Sequence, residues 1–352
     1  MYMKSAIYLG KENVEVREVP VPEIGDNDVL IQNIYSSICG TDVAVYKHGA
    51  NTGHKVTVGG EFGHETISRV VKVGKNITDF KVGDRVYPYP RYAKDDTGRA
   101  GTLGGFSEYI QVINARLNHS LYFVPESIPD KVACLIEPFT VGCRAARRGM
   151  PQNGENTVVF GCGTIGIAAA ITLKYFGCNK VMVCDFSDYR LGIAKELGFE
   201  ICNTGRADFK TEALRYFGEA YSPFGTAVNA DIFLDAAGAE SILDTFIELG
   251  TIGSRFVSVA VNKAMRSVDL LHMTYAQQSI IGSGGYFPKD VRDVLRIMSS
   301  GKWDIEKIIT HEFPIDDISK AIETAADTDN AFNVIIDFEL ECNHHRKLQL
   351  RV

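Results

Sequence analysis

The stretch NTVVFGCGTIGIAAAITLKYFG, residues 156–177, joins an apolar strand, a glycine turn and an apolar run of helix length. Gly161, Gly163 and Gly166 form G-x-G-x-x-G, with Thr164 and Ile165 between the last two glycines. The triplet carries little weight alone, but a strand before it and a helix after it are the setting in which it cradles a dinucleotide. The glycines permit a tight turn, close approach to a pyrophosphate and close helix-on-strand packing, while the helix N-terminus offers free N–H groups to phosphate. Nineteen residues beyond Gly166 stands Asp185, at the end of KVMVCD. A carboxylate there accepts hydrogen bonds from the ribose hydroxyls of NAD and repels the extra phosphate of NADP. The expected cofactor is NAD, with Arg190 nearby as a phosphate partner that would favour NADP instead.

Outward from this motif the pattern stays regular. KVMVCDFS gives a second strand and DYRLGIAKELG a second helix, and DIFLDAAG, RFVSVAV and QSIIGSGGY supply further strands between helical segments. That alternation marks a parallel sheet covered on both faces, so the fold class is α/β. Residues 1–148 read instead as short strands broken by turns, as in AIYLG, DVLIQNIYS and ETISRVVKVG, which argues for a β-rich unit. After Tyr286 come a helix, PKDVRDVLRIMSSGKW, then ITHEFP, a helical DDISKAIETAAD and a closing strand NVIIDFEL. No long linker separates these pieces, so the tail is expected to pack back on the first unit. The expected domains are 1–148 with 289–352, and an inserted nucleotide-binding domain at 149–288.

A chain of 352 residues is long enough for two domains of ordinary size. With 37 basic against 44 acidic residues, a net charge of -7 argues against nucleic acid or an anionic membrane as partner. MYMKSAIYLGKENVEV turns polar too soon for a signal peptide, and IGIAAAITL is far shorter than the roughly 18 to 20 residues that span a bilayer. The expected compartment is the cytoplasm. None of the eight cysteines forms a C-x-x-C pair, so most are expected to be reduced packing residues.

Cys39 is the exception worth weighing: in SICGTDVAVYKHG it stands between a strand and a polar turn. Twenty-five residues later, in GGEFGHETISRVVKVG, His64 and Glu65 are adjacent between a glycine and a strand. A catalytic zinc takes three protein ligands from Cys, His or a carboxylate and keeps one position open. Cys39 and His64 fit, and the third ligand must come from Glu65 or from further along the chain. CLIEPFTVGCRAARRG supplies Glu137, a carboxylate in an apolar stretch, which is costly unless paired or coordinated.

With these residues in hand, the chain resembles the zinc-dependent medium-chain alcohol dehydrogenases, and within them the sorbitol and polyol dehydrogenase branch. CGTD, GHE, VGKNITDFKVGDRV, IEPFTVGCRAARRG, GCGTIG, CDFSDYRLGIAKELG and THEFP occur in the family's order and spacing over nearly the full length. The resemblance implies a GroES-like catalytic domain plus a Rossmann domain with the active site in the cleft between them, and a homodimer or homotetramer. It also implies zinc ligation by Cys39, His64 and Glu65, with Glu137 either ligating zinc or holding its bound water; sequence leaves both schemes open. Thr41 takes the family's hydroxyl position that passes the alcohol proton toward solvent. The implied reaction is reversible oxidation of a secondary alcohol to a ketone, with zinc as Lewis acid and hydride passing to the nicotinamide. A zinc-free reductase of the same fold and a non-catalytic NAD-binding protein are the alternatives.

Departures from the family bear on metal and substrate. Many relatives carry four cysteines after the GDRV motif that bind a structural zinc; residues 87–108, YPYPRYAKDDTGRAGTLGGFSE, have none, so one catalytic zinc is expected and no structural one. Sorbitol dehydrogenases have an aromatic residue at the position of Val45 and an arginine at that of Gly285, which puts sorbitol in doubt. Arg91, Tyr92 and Lys94 are candidates to reach the substrate and favour a sugar acid or a phosphorylated polyol.

Overall fold

This computed structural model describes residues 1–94, 100–261 and 265–340. The chain divides into two compact units, Met1–Glu137 with the stretch from Ile305 onward, and Pro138–Asp304. No helix among the described residues is long and apolar enough to cross a membrane.

The first unit is β-rich. Tyr2–Gly10 and Asn13–Pro20 form an antiparallel hairpin, and Gly60–Glu61 pairs with its first strand. The larger sheet runs Ile309–Pro314, Asn333–Asp337, Val29–Ser37, Glu65–Val73, Arg85–Pro88, Leu121–Phe123, with Tyr109–Val112 also on Val29–Ser37. The two strands after residue 305 thus belong to the sheet built by the first part of the chain. Ala6, Tyr8, Phe62, Phe106, Ile318 and Ile336 share one core cluster, and the apolar periodicity of Ile318–Ala325 buries its inner face there.

One register positions what matters chemically. Ser37 pairs with Glu65 in the antiparallel ladder of Val29–Ser37 and Glu65–Val73. Residues just past the end of the first strand and just before the second, Cys39 and His64, are thereby brought together. Gly63 makes the entry to the second strand: its φ is +86°, and a Cβ there would lie 2.6 Å from the Phe106 ring. Only glycine fits that conformation and that space. The segment after Cys39, read from sequence as a polar turn, is a helix, Gly40–His48, with Cys39 as its N-cap. Its polar residues show no apolar stripe because the helix is short and only Asp42, Val45 and Tyr46 are buried.

The second unit is a six-stranded sheet in which every pairing is parallel. Numbered along the chain from Thr157–Phe160, the strands lie in the order 3-2-1-4-5-6, so the order reverses between Thr157–Phe160 and Ile232–Asp235. This is the doubly wound Rossmann arrangement, whose ligands bind beyond the strand C-termini at the reversal. The three central strands are almost wholly buried, which is why they read as unbroken apolar runs. Helix Thr164–Tyr175 is buried from Gly166 to Leu173, matching its lack of a polar face. A hairpin, Glu219–Ser222 with Gly225–Val228, adds a small two-stranded sheet that the sequence pattern did not announce. None of the described cysteines forms a disulfide, and all but Cys39 are buried; Cys342 lies outside the described residues.

Candidate metal centre and dinucleotide turn

Cys39, His64 and Glu65 form a cluster in which one donor atom from each lies within 4.8 Å of the others. Two local devices hold it. The Cys39 amide donates to Asp42 Oδ2 at 3.0 Å, so an acid in the first helical turn fixes the N-cap. Asp42 also faces the histidine, its Oδ1 lying 3.6 Å from His64 Nδ1, while His64 Nε2 lies 4.0 Å from Glu65 Oε1. His64, Glu65 and Asp42 are each at most 2% exposed.

Burial sets the electrostatics. It pushes the Cys39 thiol well up, helped by the negative charges of Glu65 and Asp42. It raises Glu65 to about 7 against hydrogen bonds from Ser37 and Cys39, and raises Asp42 strongly, with Glu65 adding to the effect. His64 is driven well below its ordinary value by the same burial and by His54. Each group is thus pressed toward its neutral form while sharing one enclosed space. A divalent cation inverts that balance, since it favours the thiolate, the carboxylate and the neutral imidazole together. His64 Nδ1 and Thr41 Oγ1 are buried without a hydrogen-bond partner, which marks the pocket as polar and incompletely satisfied. The soft thiolate, imidazole and carboxylate donor set suits zinc.

Glu137 begins the helix Ile136–Arg148 and is 8% exposed. Its charge opposes ionisation of Cys39, yet it falls outside the three-residue cluster. Thr41 lies beside the Cys39 sulfur, where its hydroxyl favours the thiolate. Two neighbours escaped the sequence reading. Asp42 had a signal, the acid three residues after an N-cap. His54 had none: it sits in a loop, half-buried, with its ring edge-on to His64 at 4.5 Å between centroids.

Of the polar residues considered for substrate, Lys94 is 3.9 Å from Glu61 and Tyr92 stacks on His119 at 4.3 Å. Arg91 lies over the Tyr92 ring at 5.7 Å. The following Asp95 and Asp96 are outside the described residues. Val45 is fully buried in the core cluster of the first unit, whereas a Cβ on Gly285 would meet nothing within 4 Å.

In the second unit the glycine turn has the steric need its sequence suggested. Gly161 has φ +99°, and a Cβ on Gly166 would lie 1.8 Å from the Gly161 carbonyl oxygen. Gly163 caps the helix Thr164–Tyr175 with extended backbone and no side-chain cap, so the glycine turn leads straight into a helix N-terminus, the end of a helix that favours an anionic ligand. Asp185 ties this turn to the second strand: Oδ2 accepts from the Cys162 amide at 2.6 Å, and Oδ1 from Phe186 and Ser187 at 2.7 and 2.9 Å. An Arg190 guanidinium nitrogen lies 3.9 Å from the space a Cβ on Gly163 would fill.

Comparison with known proteins agrees with both halves. Residues 25–121 match the family profile "Alcohol dehydrogenase GroES-like domain" and residues 164–300 match "Zinc-binding dehydrogenase". The chain is 29% identical to L-threonine 3-dehydrogenase of Shigella sonnei over 89% of its length and 93% of that protein. It is 27% identical to sorbitol dehydrogenase of Rattus norvegicus, over 91% and 92% of the two chains. The crystal structure of 2R,3R-butanediol dehydrogenase from Bacillus subtilis superposes with a TM-score of 0.82 at 24% identity, covering 95% of this chain and 99% of that one, which is a likeness of fold. With its metal-competent thiol, imidazole and carboxylate in a GroES-like unit and its Gly-turn in a Rossmann unit, the chain belongs to the zinc-dependent medium-chain alcohol dehydrogenase family.

Proposed function

We propose that the protein is a zinc-dependent, NAD-linked dehydrogenase that reversibly oxidises a secondary alcohol of a polyol, sugar acid or related sugar derivative to the ketone. The observation that carries this reading is the convergence of Cys39 with the buried His64 and Glu65 within 4.8 Å. Zinc held there would supply Lewis acidity toward an alcohol oxygen, and a nicotinamide held in the second unit would supply the hydride acceptor. Cys39, His64 and Glu65 are the assigned ligands, with Glu137 the carboxylate that supports or replaces Glu65. The Thr41 hydroxyl, buried beside Cys39, accepts the alcohol proton and passes it outward. Asp42 stands beside the imidazole, its Oδ1 3.6 Å from His64 Nδ1, beyond hydrogen-bond distance.

In the cofactor unit, Gly161, Gly163, Thr164, Ile165 and Gly166 receive the pyrophosphate. Asp185 receives the adenosine ribose and disfavours the NADP phosphate, and Arg190 beside Gly163 contributes positive charge. One zinc per chain is proposed, since residues 87–108 hold no cysteine. Free, buried cysteines agree with a reducing cytoplasm. A homodimer or homotetramer is proposed as well. Leu270, Leu271, Tyr275, Phe224 and Ile280 expose apolar surface near Ser279–Gly282, the last strand of the parallel sheet.

The reading is tested by following NADH formation over a panel of polyols and sugar acids, before chelation, after it, and after zinc is restored. Activity lost and regained with zinc is expected. Full activity in metal-free protein would refute it.

A further inference from the structure

We propose that Arg91 is an anion-recognition residue at the rim of the metal centre, selecting secondary alcohols that also carry a carboxylate or phosphate group. The inference rests on the dehydrogenase reading above and narrows its substrate class.

The first support is placement. The strand Arg85–Pro88 ends at Tyr89, which is buried and whose amide donates to the Ser120 carbonyl at 2.9 Å. Pro90 then starts a single helical turn, Pro90–Ala93, in which the amides of Tyr92 and Ala93 both donate to the Tyr89 carbonyl at 3.0 Å. Proline at the first helical position presets this turn. Pro90 and Ala93 point inward, and Tyr92 is wedged edge-on against Tyr89 at 5.0 Å and stacked on His119 at 4.3 Å. Arg91 is the exposed member of a turn that is otherwise pinned.

Two chains of neighbours lead from this turn to the metal centre. In one, the turn packs against Ala100–Thr102, where a Cβ on Gly101 would lie 2.7 Å from His54 Cβ, and the His54 ring rests on His64. In the other, Tyr89 feels both the positive charge of Arg91 and the negative charge of Glu137, and Glu137 in turn acts on Cys39.

Charge is the second support. Of the nearby cations, Arg85 is paired with Asp130 at 2.5 Å and Lys94 stands 3.9 Å from Glu61. Among the described residues Arg91 has no carboxylate partner; its guanidinium has only the Tyr92 ring. Contact with an aromatic face uses no N–H donor, so the five donors of the planar guanidinium stay open to an external acceptor. The side chains gathered at the centre around Cys39, among them Asp42, Glu65 and Glu137, are acidic and include no cation. An uncharged polyol needs none, but a carboxylate or phosphate must be met by a cation outside the cluster. A planar guanidinium meets either one with two parallel hydrogen bonds.

The test compares kcat/KM with NAD for uncharged alditols (xylitol, sorbitol), an aldonate (gluconate), an alditol phosphate (sorbitol 6-phosphate) and a hydroxy amino acid (L-threonine). The zinc-loaded wild type is compared with Arg91→Gln and Arg91→Lys. Wild type should prefer a charged class, and the aldonate, phosphate and amino acid arms say which. In Arg91→Gln the ratio of charged to uncharged kcat/KM should fall roughly 10- to 100-fold, with Arg91→Lys in between. A wild type that turns over only uncharged alditols, or a ratio unmoved by Arg91→Gln, would overturn the assignment while leaving the dehydrogenase reading intact. No NAD-linked turnover of any member would overturn both.

Discussion

Replacing Gly63 by alanine tests how the metal centre is built. Gly63 precedes His64 with φ +86°, and a Cβ there would sit 2.6 Å from Phe106 Cδ2 and 2.8 Å from two further ring atoms. Phe106 is fully buried and packs edge-on against Phe62 at 4.9 Å, so its ring has nowhere to retreat. Two costs follow: about 1–2 kcal/mol for a left-handed alanine, and about 1–3 kcal/mol for overpacking a filled core. Gly83 isolates them. It has a similar φ of +97°, but a Cβ there meets nothing within 4 Å, so Gly83→Ala should show only the backbone cost. The gain from a stiffer unfolded chain is common to both variants and cancels. In zinc-free protein, so that metal binding does not contribute, hydrogen exchange of peptides covering Val29–Ser37 and Glu65–Val73 reads the stability of this unit. Gly63→Ala should lose about 1–3 kcal/mol more than Gly83→Ala, and should also bind zinc more weakly because His64 is displaced. Equal losses, with zinc binding unchanged, would refute the claim that the Gly63 turn against Phe106 sets the histidine.

Three further outcomes are expected. Thr41→Val should keep its zinc and lower kcat by about 100-fold or more, while Thr41→Ser keeps most activity; a full-rate valine variant would remove Thr41 from the proton path. Asp185→Asn should reduce the preference for NAD over NADP by roughly 10-fold or more, read as the ratio of dissociation constants, since a charged acceptor and a source of repulsion are both lost. Ile280→Asp, on the edge of the parallel sheet and 44% exposed, should shift the species seen by light scattering toward monomer; an unchanged mass would place the subunit contact elsewhere.

The Rossmann unit was legible because its determinants are local. A buried parallel strand needs an unbroken apolar run, and the glycine positions are dictated within a few residues, as the 1.8 Å approach at Gly166 shows. The hairpin at 219–228 was not, because its short strands are half polar and rest on few buried side chains. The metal centre was legible by residue type and by resemblance rather than by pattern. Cys39 and His64 meet through the Ser37–Glu65 register, a tertiary pairing that sequence spacing does not encode. Asp42 could have been found as the N-cap acid of a helix, had the segment not read as a turn. His54 could not, since it sits in a loop whose packing against Gly101 and the His64 ring no local pattern marks.

Cys39 is the ligand on which the proposed metal centre depends. Zinc replaced by cobalt(II) would report on it directly, because a thiolate ligand gives an intense near-ultraviolet charge-transfer band that imidazole and carboxylate do not. One cobalt per chain with that band in the wild type, and its loss in Cys39→Ser while NAD binding persists, is the predicted result. Cobalt bound without the band, or with the band unchanged in Cys39→Ser, would contradict the proposed centre.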